Sequence, residues 1–239
     1  MTQKTSMLYW HPLIEGKIPT PKTAMMPLIE GDLDVLFSLL DGETVDLNVL
    51  DSRLIESSKQ FRFPLFMRTD FTSGKHDWER TCYVMKESDL VGQAVTLFED
   101  TLCKDLSIGA YIIREYIPLE SGFVAFRGKL PISKERRYFV EDGSVLCHHP
   151  YWPADAIERT RDLPHNWRAI LADLNREDEA EIAELSAMAE TFAVNVPGAW
   201  SVDFAKTKDG RWIMIDAAEA FRSWHPSDCP IAFPEKGMP

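Results

Sequence analysis

Residues 200–219 read WSVDFAKTKDGRWIMIDAAE, which is two runs of alternating apolar residues around a short polar segment. The Asp209–Gly210 dipeptide in that segment is a strong signal for a tight two-residue turn. The stretch therefore predicts a β-hairpin with strands at 200–206 and 212–217. Because side chains alternate between the two faces of a strand, the turn decides which residues share a face.

A two-residue turn pairs Ala205 with Met214, and Asp203 with Asp216 on one face of the hairpin. Like charges directly opposite each other destabilise a strand pair unless a cation or a basic side chain lies between them. The two aspartates therefore indicate a site for a divalent metal ion, which prefers oxygen ligands. A three-residue turn would place them on opposite faces, each merely solvated. Glu219 is either a third ligand or a surface carboxylate.

The composition is that of a globular protein. Its 239 residues are 45% hydrophobic and 27% charged, which excludes collagen-like, coiled-coil and disordered chains. The net charge of −12 makes nucleic acid an unfavourable partner, because it repels phosphates. Four scattered cysteines without a C-x-x-C pair suggest neither a disulfide framework nor a thiolate zinc site. With no secretion signal and no long apolar run, we expect a cytoplasmic protein that spans no membrane.

Hydrophobic periodicity predicts helices and strands along the rest of the chain. The predicted strands are 7–10, 63–69, 81–85, 110–117, 122–126, 136–140 and 145–148. The predicted helices start at Asp32 or Asp34 and end before Gly42, and cover 90–106 and 177–190. Residues 150–175 give no clear signal. His148 and His149 are adjacent, so at most one can line a shared site, and we expect both to be structural.

Several segments, in this order, resemble the ATP-grasp enzymes over residues 18–221. Residues 18–23, IPTPKT, resemble the start of many such domains, and residues 63–68, FPLFMR, resemble the strand that ends in a phosphate-binding basic residue. Arg68 stands where most of the family has lysine, as in a phage and bacterial subgroup. Residues 112–117, IIREYI, resemble the hinge strand, and residues 135–140, ERRYFV, a strand of the larger lobe. The spacing of Asp203 and Asp216 matches that of the family's metal carboxylates.

The resemblance implies an α+β fold in which two lobes with mostly antiparallel sheets grip a nucleotide, with a reduced N-terminal domain. Residues 1–109 would form the N-terminal region and the small lobe with its phosphate lid. Residues 110–239 would form the hinge strand and the larger lobe with the metal-binding hairpin.

The resemblance also implies the site residues. Arg137 and Lys75, the latter in the lid at 72–75, would act on the transferring phosphoryl group. ATP would be bound by Arg68, Lys75, Glu115, Tyr116, Ile117, Glu120 and Met214, of which Glu120 would contact the ribose and Met214 the adenine. Mg²⁺ would be held by Asp203, Asp216 and Glu219. The bland alternatives are an exposed strand charge for Arg137 and a buried ion pair with Asp70 for Arg68, while Arg114 could face either lobe.

The implied function is a ligase that uses ATP and Mg²⁺ to join a carboxylate to an amine through an acylphosphate, on small-molecule or peptide substrates. The family's last metal motif is Glu-x-Asn, whereas residues 216–218 read DAA, so position 218 carries no ligand. This departure favours a second possibility, a binding module that has lost turnover. A third, an adenylating ligase of nucleic-acid ends, is opposed by the acidic charge. Neither the substrates nor the oligomeric state follows from the sequence.

Overall fold

The computed structural model describes residues 5–126 and 129–231, which divide into two compact units. The first unit contains residues 5–8 and 21–117, together with residues 126, 129 and 130. The second contains residues 9–20, 118–125 and 131–231. Residues 1–4, 127, 128 and 232–239, which the predicted lobe boundaries include, lie outside the described residues.

The described residues form helices and antiparallel strands of ordinary length. The helices are α1 (Met7–Ile14), α2 (Glu30–Leu40), α3 (Asn48–Ser58), α4 (Leu90–Cys103), α5 (Ala154–Glu158), α6 (Trp167–Leu174) and α7 (Glu179–Asn195). The strands are β1 (Thr23–Pro27), β2 (Leu65–Thr69), β3 (Tyr83–Val84), β4 (Ala110–Glu115), β5 (Ser121–Ala125), β6 (Leu130–Ser133), β7 (Glu135–Glu141), β8 (Ser144–Pro150), β9 (Trp200–Lys206) and β10 (Trp212–Glu219). Among the described residues, no helix combines the length and the apolar composition needed to cross a bilayer.

Most predicted helices and strands are confirmed, but the strand predicted at residues 7–10 is wrong. These residues begin helix α1, in which Met7, Trp10 and Ile14 are buried. Their three- and four-residue spacing is that of a helix face, but a four-residue window is too short to distinguish it from a strand. Helices α5 and α6 occupy the segment that gave no clear signal, and the short strand β6 was not predicted.

The sheet of the first unit has the strand order β1-β4-β2-β3 and is antiparallel throughout. One of its faces packs on the helices, so side chains at alternate positions of each strand enter the core. These core residues of the sheet are Met26, Leu65, Met67, Val84, Tyr111 and Ile113. They pack with Leu36, Leu54 and Phe98 of helices α2, α3 and α4. The residues between them on each strand therefore lie on the opposite face.

The sheet of the second unit has the order β10-β9-β7-β8 and is also antiparallel. Helix α7 packs against β7, β8 and β9 and covers one face. On that face the rings of Tyr138 and Phe204 meet edge to face, with their centroids 5.7 Å apart. The other face carries Asp203 and its neighbours. Strands β5 and β6 form a separate two-stranded sheet.

The hairpin of β9 and β10 is confirmed, but its turn is longer than predicted. Lys206 pairs with Trp212, and the Thr207 N–H donates to the Arg211 carbonyl at 2.8 Å, so the pairing near the turn is shifted by one residue. This is the three-residue turn, which alone would separate the aspartates. A β-bulge between Met214 and Asp216 inserts one residue and reverses the shift. Asp203 and Asp216 are therefore direct partners, as the sequence predicted.

Candidate functional site

A row of polar residues crosses one face of the second unit's sheet. Asp216 on β10 is the partner of Asp203 on β9, Asp203 is the partner of Arg137 on β7, and Arg137 is the partner of His149 on β8. Directly opposite residues of antiparallel strands project from the same face. We call these residues the polar row, and Asp203 with Asp216 the carboxylate pair.

Arg137 forms a two-pronged ion pair with Asp203 inside the polar row. Its Nε and Nη2 each donate to one carboxylate oxygen at 2.8 Å, and the Asp203 side chain is only 8% exposed. The guanidinium also lies 4.6 Å from the centre of the Tyr151 ring, and Nη1 donates to the Trp224 carbonyl at 3.4 Å. Arg137 is therefore a buried, oriented cation, not an exposed strand charge.

The charge of Arg137 is secured by its neighbours. Burial by itself would lower the pKa of the guanidinium, but the Asp203 carboxylate outweighs burial and, with Asp216, raises the pKa above its ordinary value. The side chain thus stays protonated and balances part of the repulsion within the carboxylate pair. This is the basic side chain that the predicted arrangement requires.

The carboxylate pair has the donor chemistry that suits Mg²⁺. This ion prefers oxygen ligands and is commonly bound through one or two carboxylates while it keeps several waters. Asp216 is less buried than Asp203, and its Oδ1 accepts the Ala217 N–H at 2.9 Å. Ala218 shares the face of Asp216 and offers no donor, as expected from the sequence. The residues present therefore fit a magnesium ion held by two aspartates.

Two predicted site residues of the hairpin lie elsewhere. Met214 pairs with Phe204 instead of Ala205, so it belongs to the helix-covered face and not to the face of the carboxylate pair. The one-residue shift at the turn is the reason. Glu219 lies three residues beyond Asp216 on a regular stretch, hence on the other face, and its carboxylate is 3.4 Å from Arg222. Neither position supports the predicted adenine contact or third metal ligand.

In the first unit, two buried arginines share the sheet face opposite the helices. Arg68 on β2 is 3% exposed and Arg114 on β4 is 2% exposed. Arg68 pairs with Ile112 and Arg114 pairs with Phe66, so strand alternation puts both guanidinium groups on the same side. Two buried cations on one face form a site suited to an anion.

The alternative ion pair of Arg68 with Asp70 is not formed. Asp70 accepts hydrogen bonds from the Ser6 hydroxyl at 2.5 Å and from the Gly109 and Ala110 N–H groups at 2.9 and 3.2 Å. Arg68 instead donates through Nε to the Thr69 carbonyl at 3.0 Å. Sequence reasoning left Arg114 unassigned, although its two-residue phase with Ile112 would have placed it beside Arg68.

The predicted lid is a short loop anchored at both ends by threonines. The Thr69 hydroxyl accepts the Thr72 N–H at 3.0 Å, and the Thr81 hydroxyl donates to the Gly74 carbonyl at 2.8 Å. Gly74 has φ +61°, a left-handed conformation that glycine adopts without strain. Lys75 follows in a single turn of 3₁₀ helix and is half-buried. The loop thus presents Lys75 on a fixed backbone.

The predicted hinge residues follow β4. The Glu115 carboxylate accepts the Lys22 N–H at 2.7 Å, so this acid also fastens the start of β1. Tyr116 packs edge to face on Tyr83, which stacks on Trp78, and burial followed by the Tyr83 hydroxyl raises the pKa of Tyr116. Ile117 is half-buried. Glu120, which belongs to the second unit, is exposed, and its backbone bonds to Lys206 and Lys134.

Comparison with known proteins points to one family. A profile described as an ATP-grasp domain, the third family of its clade, matches residues 52–233. No curated protein sequence matches the chain.

Solved structures share the fold at low identity. The carboxyaminoimidazole ribonucleotide synthase of Aspergillus clavatus complexed with ATP has a TM-score of 0.51 at 11% identity, with 90% of this chain and 44% of that chain covered. C-terminally truncated Cdc123 of Schizosaccharomyces pombe has a TM-score of 0.50 at 16% identity, with 90% and 83% covered. The chain thus spans less than half the length of the synthase and most of Cdc123. At these identities the likeness establishes the fold alone.

Proposed function

Because the chain belongs to this family of ATP-grasp domains, we propose that it is an ATP-dependent ligase that joins a carboxylate to an amine. The observation that carries this proposal is the polar row, in which a carboxylate pair for a metal ion adjoins a buried arginine. A row of this kind has the charges that phosphoryl transfer requires, and no protein nucleophile is needed.

The cations of the chain would bind and neutralise the phosphates of ATP. Phosphoryl transfer depends mainly on aligning the γ-phosphate with the attacking oxygen and on stabilising the charge that develops there. Arg68 and Arg114 of the first unit offer planar donors that suit phosphate oxygens, and Lys75 adds a point charge from the lid. Arg137 of the second unit would act on the transferring group.

The carboxylate pair would hold Mg²⁺, which when bound neutralises charge on the β- and γ-phosphates. Arg137 already engages both oxygens of Asp203. Each carboxylate oxygen has a second lone pair, so Asp203 can bind a cation without releasing the arginine. We expect Glu219 to take no part, since it lies on the other face of β10.

The substrate carboxylate would attack the γ-phosphate, forming an acylphosphate and releasing ADP. An amine would then attack the acyl carbon, and phosphate would leave as the amide bond forms. The backbone of residues 115–117 would receive the adenine, and Glu120 would accept from the ribose hydroxyls. All four cysteines are free thiols, which supports a reducing compartment such as the cytoplasm.

One observation favours a second candidate, a module that binds ATP without turnover. Ala218 shares the face of the carboxylate pair at the position where the related motif carries asparagine, so one metal ligand is lost. Weaker metal binding would reduce charge stabilisation in the transition state more than it would reduce nucleotide binding.

Product analysis separates the candidates. The full chain is incubated with ATP, Mg²⁺ and pooled amino acids or short peptides, and ADP, AMP, phosphate and pyrophosphate are quantified. The ligase predicts equal amounts of ADP and phosphate that depend on the added acid, are lost in Asp216→Asn and persist in the matched control Glu219→Gln. ATP binding without product in any pool would support the module. AMP with pyrophosphate would indicate adenylation and contradict both.

A further inference from the structure

A cluster of cysteines and histidines lies on β8 and the segment that follows β10. One donor atom each of Cys147, His149, His225 and Cys229 lies within 4.8 Å of all the others. Cys147 Sγ is 3.2 Å from His225 Nε2, and the rings of His149 and His225 are 5.0 Å apart between centroids. We call this group the Cys–His cluster. It contradicts the expectation that the cysteines form no thiolate site.

The sequence spacing explains how the fold assembles the cluster. Cys147 and His149 are two residues apart on β8, so they project from the same face. His148 points the other way, where its Nδ1 lies 3.0 Å from the Glu177 carboxylate. His225 and Cys229 are four residues apart in a segment beyond the last strand. The two pairs are far apart in the sequence, so no short motif reveals them.

We propose that the Cys–His cluster binds one Zn²⁺ ion in a tetrahedral site with two thiolates and two imidazoles. In such a site, Zn–S bonds of about 2.3 Å and Zn–N bonds of about 2.0–2.1 Å put the donors about 3.3–3.8 Å apart. The largest separation in the cluster exceeds this by about 1 Å, which side-chain rotation can close, and the contact of Cys147 with His225 is already short enough.

The surroundings of the cluster also suit a metal. His149 Nε2 is buried and has no hydrogen-bond partner within the described residues. A buried polar atom without a partner is costly, and coordination would satisfy such an atom. Phe139 packs edge to face on both His149 and His225, with ring centroids 6.2 and 4.6 Å away, which orients the imidazoles and excludes water.

The donor set selects the ion and its role. Thiolate and imidazole together favour zinc over Mg²⁺, which takes oxygen ligands. Four protein ligands fill a tetrahedral ion, so the site is structural and leaves no position for a substrate. It is chemically distinct from the carboxylate pair and does not depend on the proposed ligase activity.

The zinc would fix the segment that touches Arg137. His225 follows Trp224, whose carbonyl accepts from Arg137, and His149 is the cross-strand partner of Arg137. An ion bound to both histidines would therefore tie the segment after β10 to the β8 end of the polar row. The cluster would act as a positioning element for Arg137.

The test is metal content and cobalt spectroscopy on the full chain, purified under reducing conditions. We expect one equivalent of zinc per chain by mass spectrometry, at least a tenfold loss of occupancy in Cys147→Ser and His225→Ala, and full retention in Cys103→Ser and His165→Ala, which alter exposed residues. We also expect the metal-free wild-type chain to bind one equivalent of Co²⁺ with thiolate-to-cobalt charge-transfer bands that Zn²⁺ abolishes.

The cobalt titration uses the wild-type chain, so it remains decisive if a variant fails to fold. A folded, reduced chain that binds neither zinc nor cobalt through thiolates would overturn the proposal. So would a disulfide between Cys147 and Cys229 in protein alkylated at the moment of cell lysis, because the same two sulfur atoms cannot then serve as thiolate ligands.

Discussion

Replacing Arg137 by methionine should strongly destabilise the chain in the absence of ligands. The ion pair is mostly desolvated, with side chains 13% and 8% exposed, so the buried-pair magnitude applies and not that of a surface pair. Removing one partner of such a pair costs about 3–5 kcal/mol, because the remaining charge is buried without compensation. In this protein, Asp203 would also face Asp216 without a cation nearby. The cost should therefore be near the upper end of that range.

Urea unfolding of a double-mutant cycle measures this effect. Arg137→Met and Asp203→Asn are compared singly and together, and the coupling energy should be about 2–3 kcal/mol, because the double variant leaves no unbalanced pair. Mg²⁺ should stabilise Arg137→Met more than the wild type, since it replaces the missing positive charge. If each single variant costs less than about 1 kcal/mol and the two effects add, the pair is a surface pair and our reasoning about the polar row fails.

Three further predictions concern other parts of the chain. Gly122→Ala should destabilise by about 1–3 kcal/mol in urea unfolding, because the added methyl would clash with a side chain of α6, whereas Gly92→Ala, with nothing within 4 Å, should not destabilise. Asp178 caps α7 through a backbone N–H at 2.8 Å, which lowers its pKa from 3.8. Its charge therefore stabilises above that pH and ceases to do so as the pH falls through the lowered pKa, so thermal melts of wild type and Asp178→Asn should converge in acid. Arg68→Ala should weaken ATP binding in calorimetry by about 10- to 150-fold, as for a lost charged hydrogen bond, while the exposed Arg62→Ala should not; equal affinities would contradict the phosphate role.

The features that follow from local pattern could be predicted from the sequence. The hairpin of β9 and β10 was found from alternation and the Asp209–Gly210 dipeptide, and helix α4 from its apolar spacing. The pairing of Asp203 with Asp216 was also predicted, although by a route that the structure does not follow. A longer turn and a β-bulge each shift the register by one residue, and the two shifts cancel beyond the bulge.

The features that depend on packing could not be predicted. A bulge changes the face of Met214 without leaving a clear mark in the sequence, so its predicted adenine contact was lost. The Cys–His cluster depends on the path of the segment after β10, which contains prolines and carries no periodicity. Its four ligands come from two distant pairs, which only the folded chain brings together.

The most direct test of the central claim is a crystal structure with a non-hydrolysable ATP analogue and Mn²⁺, which replaces Mg²⁺ and gives anomalous scattering. The account predicts an anomalous peak bound by oxygens of both Asp203 and Asp216 and by phosphate oxygens of the analogue, with Arg137 still in contact with Asp203. A nucleotide bound without an ion at these aspartates, or an ion held by other residues, would contradict it.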